Sequence, residues 1–181
     1  MQSFRTEIES IGSGKKALVE KDITDLEKKI RLFREGKINP EKFRSLRLAR
    51  GVYGQRQQGV QMIRIKLPFG RVTVKQLLRI ADISDEYSNG NLHLTTRQDI
   101  QIHHVSLDRT PELWAKLEED DITLREACGN TVRNVTASPE AGIDPNELFD
   151  VTPYAKAVFS YFFAKAIRAR AGPENKNRFF E

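Results

Sequence analysis

The sequence predicts a mixed α+β fold, and three observations support this prediction. Segments with apolar residues at helical spacing are interspersed with segments in which apolar and polar residues alternate singly. Glycine, proline and asparagine separate these segments, as is typical of turns. Hydrophobic residues make up 39% of the 181-residue chain and charged residues 30%, which is typical of globular proteins that bury a core.

Two helices are predicted in the first fifty residues, after a flexible leader over 1–20 that contains GSGKK. Apolar side chains recur at helical spacing at Ile23, Leu26, Ile30 and Phe33. Gly36 provides a stop for this helix. Asn39 as a cap, with Pro40 at the first helical position, predicts a second, short helix.

The central part of the chain predicts a strand followed by a helix. VYGQRQQG (52–59) is a polar segment bounded by glycine, and VQMIRIKL then alternates, so that Ile63 and Ile65 share one face while Arg64 and Lys66 share the other. After the turn Pro-Phe-Gly, the pair Thr73 and Gln76 has the pattern of a capping box. A helix is therefore expected from this point to the Asn-Gly pair at 89–90.

The next segments, NLHLTT and DIQIHHV, predict two further strands, and Thr110-Pro111 begins another amphipathic helix. The order strand, helix, strand, strand, helix (βαββα) predicts most of a ferredoxin-like α+β unit over 51–122, with a helical N-terminal extension over 1–50. In such a unit the helices cover one sheet face, and we expect the other face to be free. GNTVRNVTAS then predicts a short strand and loop, and Thr152-Pro153 begins a helix that stops at Gly172-Pro173. We expect 123–181 to begin a second α+β domain.

Composition restricts the function classes. The net charge of +5 suits a polyanionic partner, which can be a nucleic acid, a membrane surface or a ligand rich in carboxylates. No apolar run is long enough for a membrane span and no secretory signal is visible, so we expect a cytoplasmic protein without membrane contact. A single cysteine, Cys128, excludes an internal disulfide and a multi-cysteine metal site built by this chain alone. No nucleophile elbow, phosphate-binding glycine loop or catalytic carboxylate pair is present.

We expect the free sheet face to carry the polar side chains of His93, Gln101 and His103 together with five cations, namely Arg56, Arg64, Lys66, Arg97 and Arg133. Guanidinium groups match carboxylates and oxyanions in geometry, so this face suits such a ligand; the alternative is a merely solvated face. A metal site is not expected, because His103 and His104 point to opposite faces of a strand and no acidic or cysteine partner stands at ligand spacing. Base-stacking aromatics, which an RNA-binding sheet needs, are replaced by Arg, His and Gln.

Three stretches, VYGQRQQGVQMIRIKLPFG, GNLHLTTRQDIQIHHV and CGNTVRNVTASPEAGIDP, closely resemble the N-terminal part of the siroheme-dependent sulfite and nitrite reductases. The resemblance runs from about Asp22 to about Phe163. It implies that 51–122 form a ferredoxin-like half-domain, which in this family pairs with a second copy much later in the chain, and that 123–181 begin the siroheme and iron–sulfur domain. It implies that Arg64 and Arg133 hold the substrate oxyanion. It also implies a group of side chains that contact siroheme, namely Arg56, Thr95, Arg97, Gln101 and Asn134.

The resemblance implies a parent enzyme that carries out a six-electron reduction of sulfite to sulfide or of nitrite to ammonia, with siroheme and a 4Fe-4S cluster as cofactors and a ferredoxin or flavoprotein as electron donor. Siroheme bears eight carboxylates, which a cationic wall neutralises. In this family four cysteines further along the chain ligate the cluster. We therefore expect this chain alone to be inactive and to bind neither cofactor.

The tail from about residue 164 does not match the family, in which an Arg-Lys-x-Lys run follows this helix. Codons exist for 172–181 under which a one-nucleotide shift encodes Gly-Arg-Lys-Thr-Lys, so we expect a frameshifted or truncated reductase. Because the half-domain lacks its usual second copy, we expect a homodimer. The alternative function is a non-catalytic basic module that binds a tetrapyrrole or nucleic acid.

Overall fold

The computed structural model describes residues 19–170, with side chains described through residue 166. Five α-helices are present in this part of the chain: α1 over 19–34, α2 (Pro40–Leu48), α3 (Val74–Tyr87), α4 (Thr110–Glu118) and α5 (Thr152–Arg170). Two short 3-10 helices, Pro68–Gly70 and Leu107–Arg109, lie between these elements. The strands are β1 (Val52–Gly54), β2 (Val60–Ile65), β3 (Leu92–Leu94) and β4 (Ile100–Ser106). The leader within 1–18 and the predicted stop at Gly172-Pro173 lie outside the described residues.

The helix signals in the sequence are confirmed. Asn39 caps α2, its side chain accepting a hydrogen bond from the Glu41 amide at 2.8 Å. Thr73 and Gln76 form the predicted capping box, in which each side chain accepts a hydrogen bond from the other residue's main-chain amide. The Thr73 and Gln76 amides, which have no carbonyl partner within the helix, are hydrogen-bonded in this way. These two bonds define where α3 begins.

The four strands form one antiparallel sheet in the order β1-β2-β4-β3. The register places Ile63 opposite Ile102 and Ile65 opposite Ile100. On the neighbouring row, Arg64 pairs with Gln101, which in turn pairs with His93 of β3. Because side chains on a strand alternate between faces, the isoleucines share the helix-covered face, and the polar row lies on the other.

The main core lies between the sheet and helices α3 and α4. Trp114 and Leu113 of α4, together with Ile80 and Ile83 of α3, are fully buried against the sheet isoleucines. Leu26 of α1 and Phe43 of α2 belong to the same cluster. The helical N-terminal extension is therefore packed onto the half-domain.

Three features of this fold differ from the sequence prediction. The polar segment 52–59 contributes a strand, β1, which is only three residues long and forms through pairing with β2. GNTVRNVTAS contains no strand. The prediction of a free second sheet face is wrong at the carboxyl end of β2, where a segment over 131–137 covers Lys66 and leaves it 3% exposed.

An irregularity in β4 marks the other end of the polar row. The pairing shifts between Gln61 and Ile63, where one β2 residue faces two residues of β4. His104 has φ of 62°, as expected for the extra residue of a bulge. The bulge returns Val105 to the core face, so that β4 remains buried on that side to its end.

Candidate functional site

Three arginines from separate parts of the chain line one cleft. Arg64 lies in β2, Arg97 in the turn between β3 and β4, and Arg133 in the 131–137 segment. The cleft is also lined by Lys66, Asp99 and Asn134. We call it the cationic cleft. Four cations and one carboxylate line it, so the site attracts anions.

Arg64 is oriented by its neighbour across the sheet. The Gln101 amide, with its oxygen turned toward the guanidinium, accepts hydrogen bonds from Arg64 Nη2 at 2.6 Å and from Nε at 3.1 Å. Gln101 is itself buried, and Arg64 is half-buried. The antiparallel register that places these two residues opposite each other therefore also fixes the direction in which Arg64 points.

Lys66 is the most deeply buried cation of the cleft. Its main-chain amide donates to the Thr123 carbonyl at 3.2 Å, an isolated bridge that extends the sheet beyond β2. Its Nζ donates to the Val132 carbonyl at 2.6 Å and lies 5.9 Å from the centre of the Phe163 ring in α5. Burial lowers the pKa of Lys66 to about 8, because the charged form loses hydration.

The 131–137 segment, which carries Arg133, has no regular secondary structure and is held by hydrogen bonds to the half-domain. Asn134 Nδ2 donates to the Leu67 carbonyl at 2.6 Å and to the Arg97 carbonyl at 2.9 Å. The Phe69 amide donates to the Val135 carbonyl at 2.8 Å. The segment thus connects the end of β2 to the turn that carries Arg97, and the three arginines converge for this reason.

A side-chain amide completes this attachment. Gln98 Nε2 donates to the Ala137 carbonyl at 2.7 Å, while its Oε1 accepts from the Ala137 amide at 3.1 Å. The Gln98 side chain also packs closely on Gly70, where an added Cβ would lie 2.9 Å from Gln98 Cβ. Gly70 has φ of 69°, so this close approach favours glycine for both conformational and steric reasons.

The turn that carries Arg97 is shaped by Thr95 and Asp99. Thr95 Oγ1 accepts from the Asp99 amide at 3.0 Å, and the Thr95 amide donates to the Asp99 carbonyl at 2.9 Å. Asp99 is buried, and its Oδ1 accepts from the Leu67 amide at 3.3 Å. Burial raises the pKa of Asp99, although this amide and the nearby Lys66 and Arg64 act in the opposite direction. The carboxylate offsets only part of the positive charge of the cleft.

Cys128 is also buried close to these charges. Burial raises the pKa of its thiol, although the positive charge of Arg64 acts in the opposite direction. A thiol in this state is neutral at physiological pH and is therefore a poor metal ligand without deprotonation. Within residues 19–166, no three His, Cys, Asp or Glu side chains are grouped as metal ligands.

The structure separates the predicted site residues into two groups. Arg64, Arg97, Arg133 and Asn134 line the cleft, and Gln101 and Thr95 contact its lining residues. Arg56 is exposed in the loop between β1 and β2 and does not line the cleft. Arg56, Arg97 and Arg133 lie on loops, so the prediction that all five cations project from one sheet face is wrong.

The histidines lie apart from the cleft. His93 and His103 stack with ring centres 5.9 Å apart, and His103 Nδ1 lies 3.1 Å from Gln55 Nε2. Burial lowers the pKa of His103, and the neighbouring histidines lower it further. Asp99, a cleft residue, was missed in the sequence analysis; its position as the first residue of DIQIHHV, directly before β4, was the only available signal.

Comparison with known proteins identifies the half-domain. The family described as the nitrite/sulfite reductase ferredoxin-like half domain matches residues 53–120. The assimilatory ferredoxin-dependent nitrite reductase of Haloferax mediterranei is 38% identical over 115 residues, covering 57% of this chain and 20% of that protein. A ferredoxin sulfite reductase of Mycobacterium tuberculosis is 29% identical over 119 residues, covering 56% of this chain and 21% of that protein.

The fold agrees with these matches. The structure of the Mycobacterium tuberculosis NirA protein superimposes with a TM-score of 0.64 at 25% identity, covering 70% of this chain and 26% of NirA. The chain spans about one fifth of the length of the curated relatives it matches. None of the helices in the described range 19–170 has the length and apolar character needed to cross a membrane. Residues 53–120, which hold most of the sheet together with α3 and α4, therefore resemble the ferredoxin-like half-domain of the nitrite and sulfite reductases in sequence and in fold.

Proposed function

We propose that this chain forms the N-terminal portion of a nitrite or sulfite reductase and supplies a cationic wall for siroheme carboxylates and the substrate oxyanion. The observation that carries this proposal is the convergence of Arg64, Arg97 and Arg133 on one cleft from three separate segments. The enzymes named in the comparisons reduce nitrite or sulfite, both of which are small anions. A cationic site that forms before its ligand arrives stabilises such anions without reorganisation.

The substrate roles fall on Arg64 and Arg133. Arg64 is half-buried and aligned by Gln101, so its guanidinium is presented in a defined orientation. Arg133 is exposed on the 131–137 segment and lines the same cleft. Two guanidinium groups placed in this way hold an oxyanion between them by charge-assisted hydrogen bonds.

The cofactor roles are divided between direct contact and support. Arg97 and Arg56 are exposed, so both can reach carboxylates at the edge of a macrocycle. Asn134 uses both hydrogens of its amide nitrogen on carbonyls of this chain, and Thr95 holds the turn before Asp99. We assign Asn134, Thr95 and Gln101 to positioning the arginines, with the Thr95 hydroxyl hydrogen still available as a donor.

The residues of this chain fit siroheme carboxylates but not a 4Fe-4S cluster. The cations of the cleft match carboxylate groups and a small anion in charge and geometry, whereas the macrocycle would lie outside the cleft. Siroheme, when bound, supplies the redox centre at which nitrite or sulfite takes up electrons. A cluster needs four thiolates, and this sequence contains one cysteine, which is buried. We therefore propose that this chain alone is inactive and that the cluster belongs to the rest of the parent enzyme.

The partners follow from the same reasoning. Two relatives are named as ferredoxin-dependent, which supports ferredoxin rather than a flavoprotein as the electron donor of the parent enzyme. We propose a cytoplasmic location. We also propose no nucleic-acid partner, since the four cations of the cationic cleft meet at one site instead of following a backbone-sized groove.

The test is binding of uroporphyrin, a tetrapyrrole with eight carboxylates, followed by absorption at fixed ionic strength. The sequence alone led us to expect no cofactor binding by this chain, but the cleft forms within the chain itself, so we propose that the intact chain binds uroporphyrin saturably. Arg97→Ala and Arg133→Ala should each bind at least about tenfold more weakly, because each removes charge-assisted hydrogen bonds. The control is Arg31→Ala, which removes an exposed arginine of α1. The octamethyl ester of the same porphyrin should not bind.

Equal binding of uroporphyrin and its ester would contradict the proposal, as would equal losses in the Arg31 and Arg97 variants. Salt-sensitive binding to random DNA, with no uroporphyrin binding, would favour the basic nucleic-acid module instead.

A further inference from the structure

We propose that Lys66 is a positioning residue, which sets the place of Arg133 in the cationic cleft through the hydrogen bond from its ammonium to the Val132 carbonyl. The role of Arg133 as an anion ligand rests on the proposed function, whereas the tether itself does not. Lys66 is 3% exposed, so its charge is held inside the protein rather than on its surface.

The contacts of Lys66 indicate that its charge is retained for a purpose other than stability. Within residues 19–166, no carboxylate oxygen lies within ion-pair distance of Nζ; the hydrogen bond runs to a neutral carbonyl. A buried cation without a direct counter-ion destabilises a fold, and an apolar residue of the same length would fill the space. A bond from a charged donor is, however, stronger than one from a neutral donor.

The position of the acceptor explains what this bond controls. Val132 directly precedes Arg133, and Asn134 directly follows it. Lys66 holds the carbonyl on one side, and Asn134 holds the Leu67 and Arg97 carbonyls on the other. The backbone of Arg133 is therefore fixed on both sides, so loss of one tether frees the guanidinium to move out of the cleft.

The charge state of Lys66 depends on every element that packs around it. The charged or titratable groups that face it are Asp99 directly before β4, Arg97 in the turn between β3 and β4, Glu126 and Cys128 after α4, Arg133 in the tethered segment and Arg64 in β2. Burial has the largest effect and lowers its pKa to about 8, while Asp99 and Glu126 act in the opposite direction. The tether thus weakens as the pH rises through 8, and a bound anion favours the charged, tethered state.

The test follows the Val132 carbonyl directly, by its ¹³C chemical shift in the uniformly labelled full chain between pH 6.5 and 9.5. In the wild type, we expect a titration step centred near pH 8, the pKa of Lys66. Lys66→Met should abolish the step, and Lys66→Arg should keep the low-pH shift throughout. Lys37→Met, which changes an exposed lysine between α1 and α2, is the matched control.

Two further measurements distinguish an effect of Lys66 on the position of the 131–137 segment from a direct effect of its charge on the anion. Amide exchange at Ala137, which is bonded to Gln98, should become about tenfold faster in Lys66→Met and remain unchanged in the control. Nitrite, which does not titrate in this pH range, should bind about tenfold more weakly to Lys66→Met and nearly normally to Lys66→Arg. Buried Trp114 reports whether each variant is folded.

The inference would be overturned if Lys66→Met left both the amide exchange of Ala137 and the carbonyl chemical shift of Val132 unchanged. Any loss of nitrite binding in that variant would then come from the charge of Lys66 alone. A different result would be that the wild type does not bind nitrite, while the Val132 carbonyl shift still titrates near pH 8 and Ala137 exchange is still faster in Lys66→Met. That result would support the tether and contradict the proposed function.

Discussion

Replacing Lys66 by methionine should stabilise this protein while weakening anion binding. Methionine has a side chain of similar length and carries no charge, so it removes the need to bury an ammonium group. At neutral pH the wild type must keep this cation 3% exposed, with a carbonyl as its hydrogen-bond partner. Stability and anion binding are therefore expected to change in opposite directions in this variant.

The size of the gain follows from the pKa of Lys66. A decrease from 10.5 to about 8 corresponds to roughly 3 kcal/mol, at 1.36 kcal/mol per pH unit. The variant leaves the Val132 carbonyl without its donor, which costs about 1 kcal/mol. We expect the free energy of unfolding of Lys66→Met to exceed that of the wild type by about 2 kcal/mol at pH 7.

The gain should depend on pH with a defined sign. Below pH 8 Lys66 is charged in the folded and in the unfolded chain, so the wild type carries the full burial cost. Between 8 and 10.5 the unfolded chain binds more protons than the folded chain, so the free energy of unfolding of the wild type rises with pH. Most of the difference between the two proteins should therefore disappear by about pH 9.5.

Urea unfolding at several pH values, followed by the fluorescence of buried Trp114, measures this difference. Other groups titrate in the same range, but their contributions cancel when the variant is compared with the wild type. A variant that is less stable than the wild type at pH 7 would refute the reasoning, and so would a stability difference that stays constant with pH.

Three further predictions concern the fold around the cleft. Asn134→Ala should lower the free energy of unfolding by about 2 kcal/mol, because it leaves the Leu67 and Arg97 carbonyls without donors. The control Asn146→Ala, at an exposed position, should have little effect in the same urea assay. Gly51→Ala should unfold at clearly lower urea than Gly59→Ala: both have positive φ, but only at Gly51 would the new Cβ lie 2.8 Å from two carbonyl oxygens. Light scattering at micromolar concentration should show a homodimer, since the edges of the sheet, β1 and β3, are not covered by a further strand in the described residues; a monomer would contradict this.

The local signals in the sequence predicted most of the helices and strands. The Asn39 cap, the capping box of Thr73 and the proline after Thr110 mark the starts of three helices, because caps and prolines act within one turn of the chain. Strict alternation in β2 indicated which side chains face the helices. β1 was missed because a three-residue strand has too few residues for a pattern and is defined by its partner.

The candidate site was predicted as a set of residues rather than as a geometry. Resemblance to the family indicated Arg64, Arg97 and Arg133, and the structure places these on one cleft. Alternation suggested that Lys66 would be solvated beside Arg64, but Lys66 is buried under the 131–137 segment. The covering segment has no helical or alternating pattern, so no periodicity could have predicted its position.

The sequence by itself determined most of the helices and strands of the half-domain, because periodicity, caps and turn residues act over a few neighbouring residues. Only the tertiary structure decided the cleft. Its walls meet because Asn134, Gln98 and the Phe69 amide exchange hydrogen bonds between segments that lie about 30 to 70 residues apart along the chain. The burial that shifts the pKa of Lys66 comes from those same contacts, because the electrostatic environment of a side chain depends on what surrounds it in space.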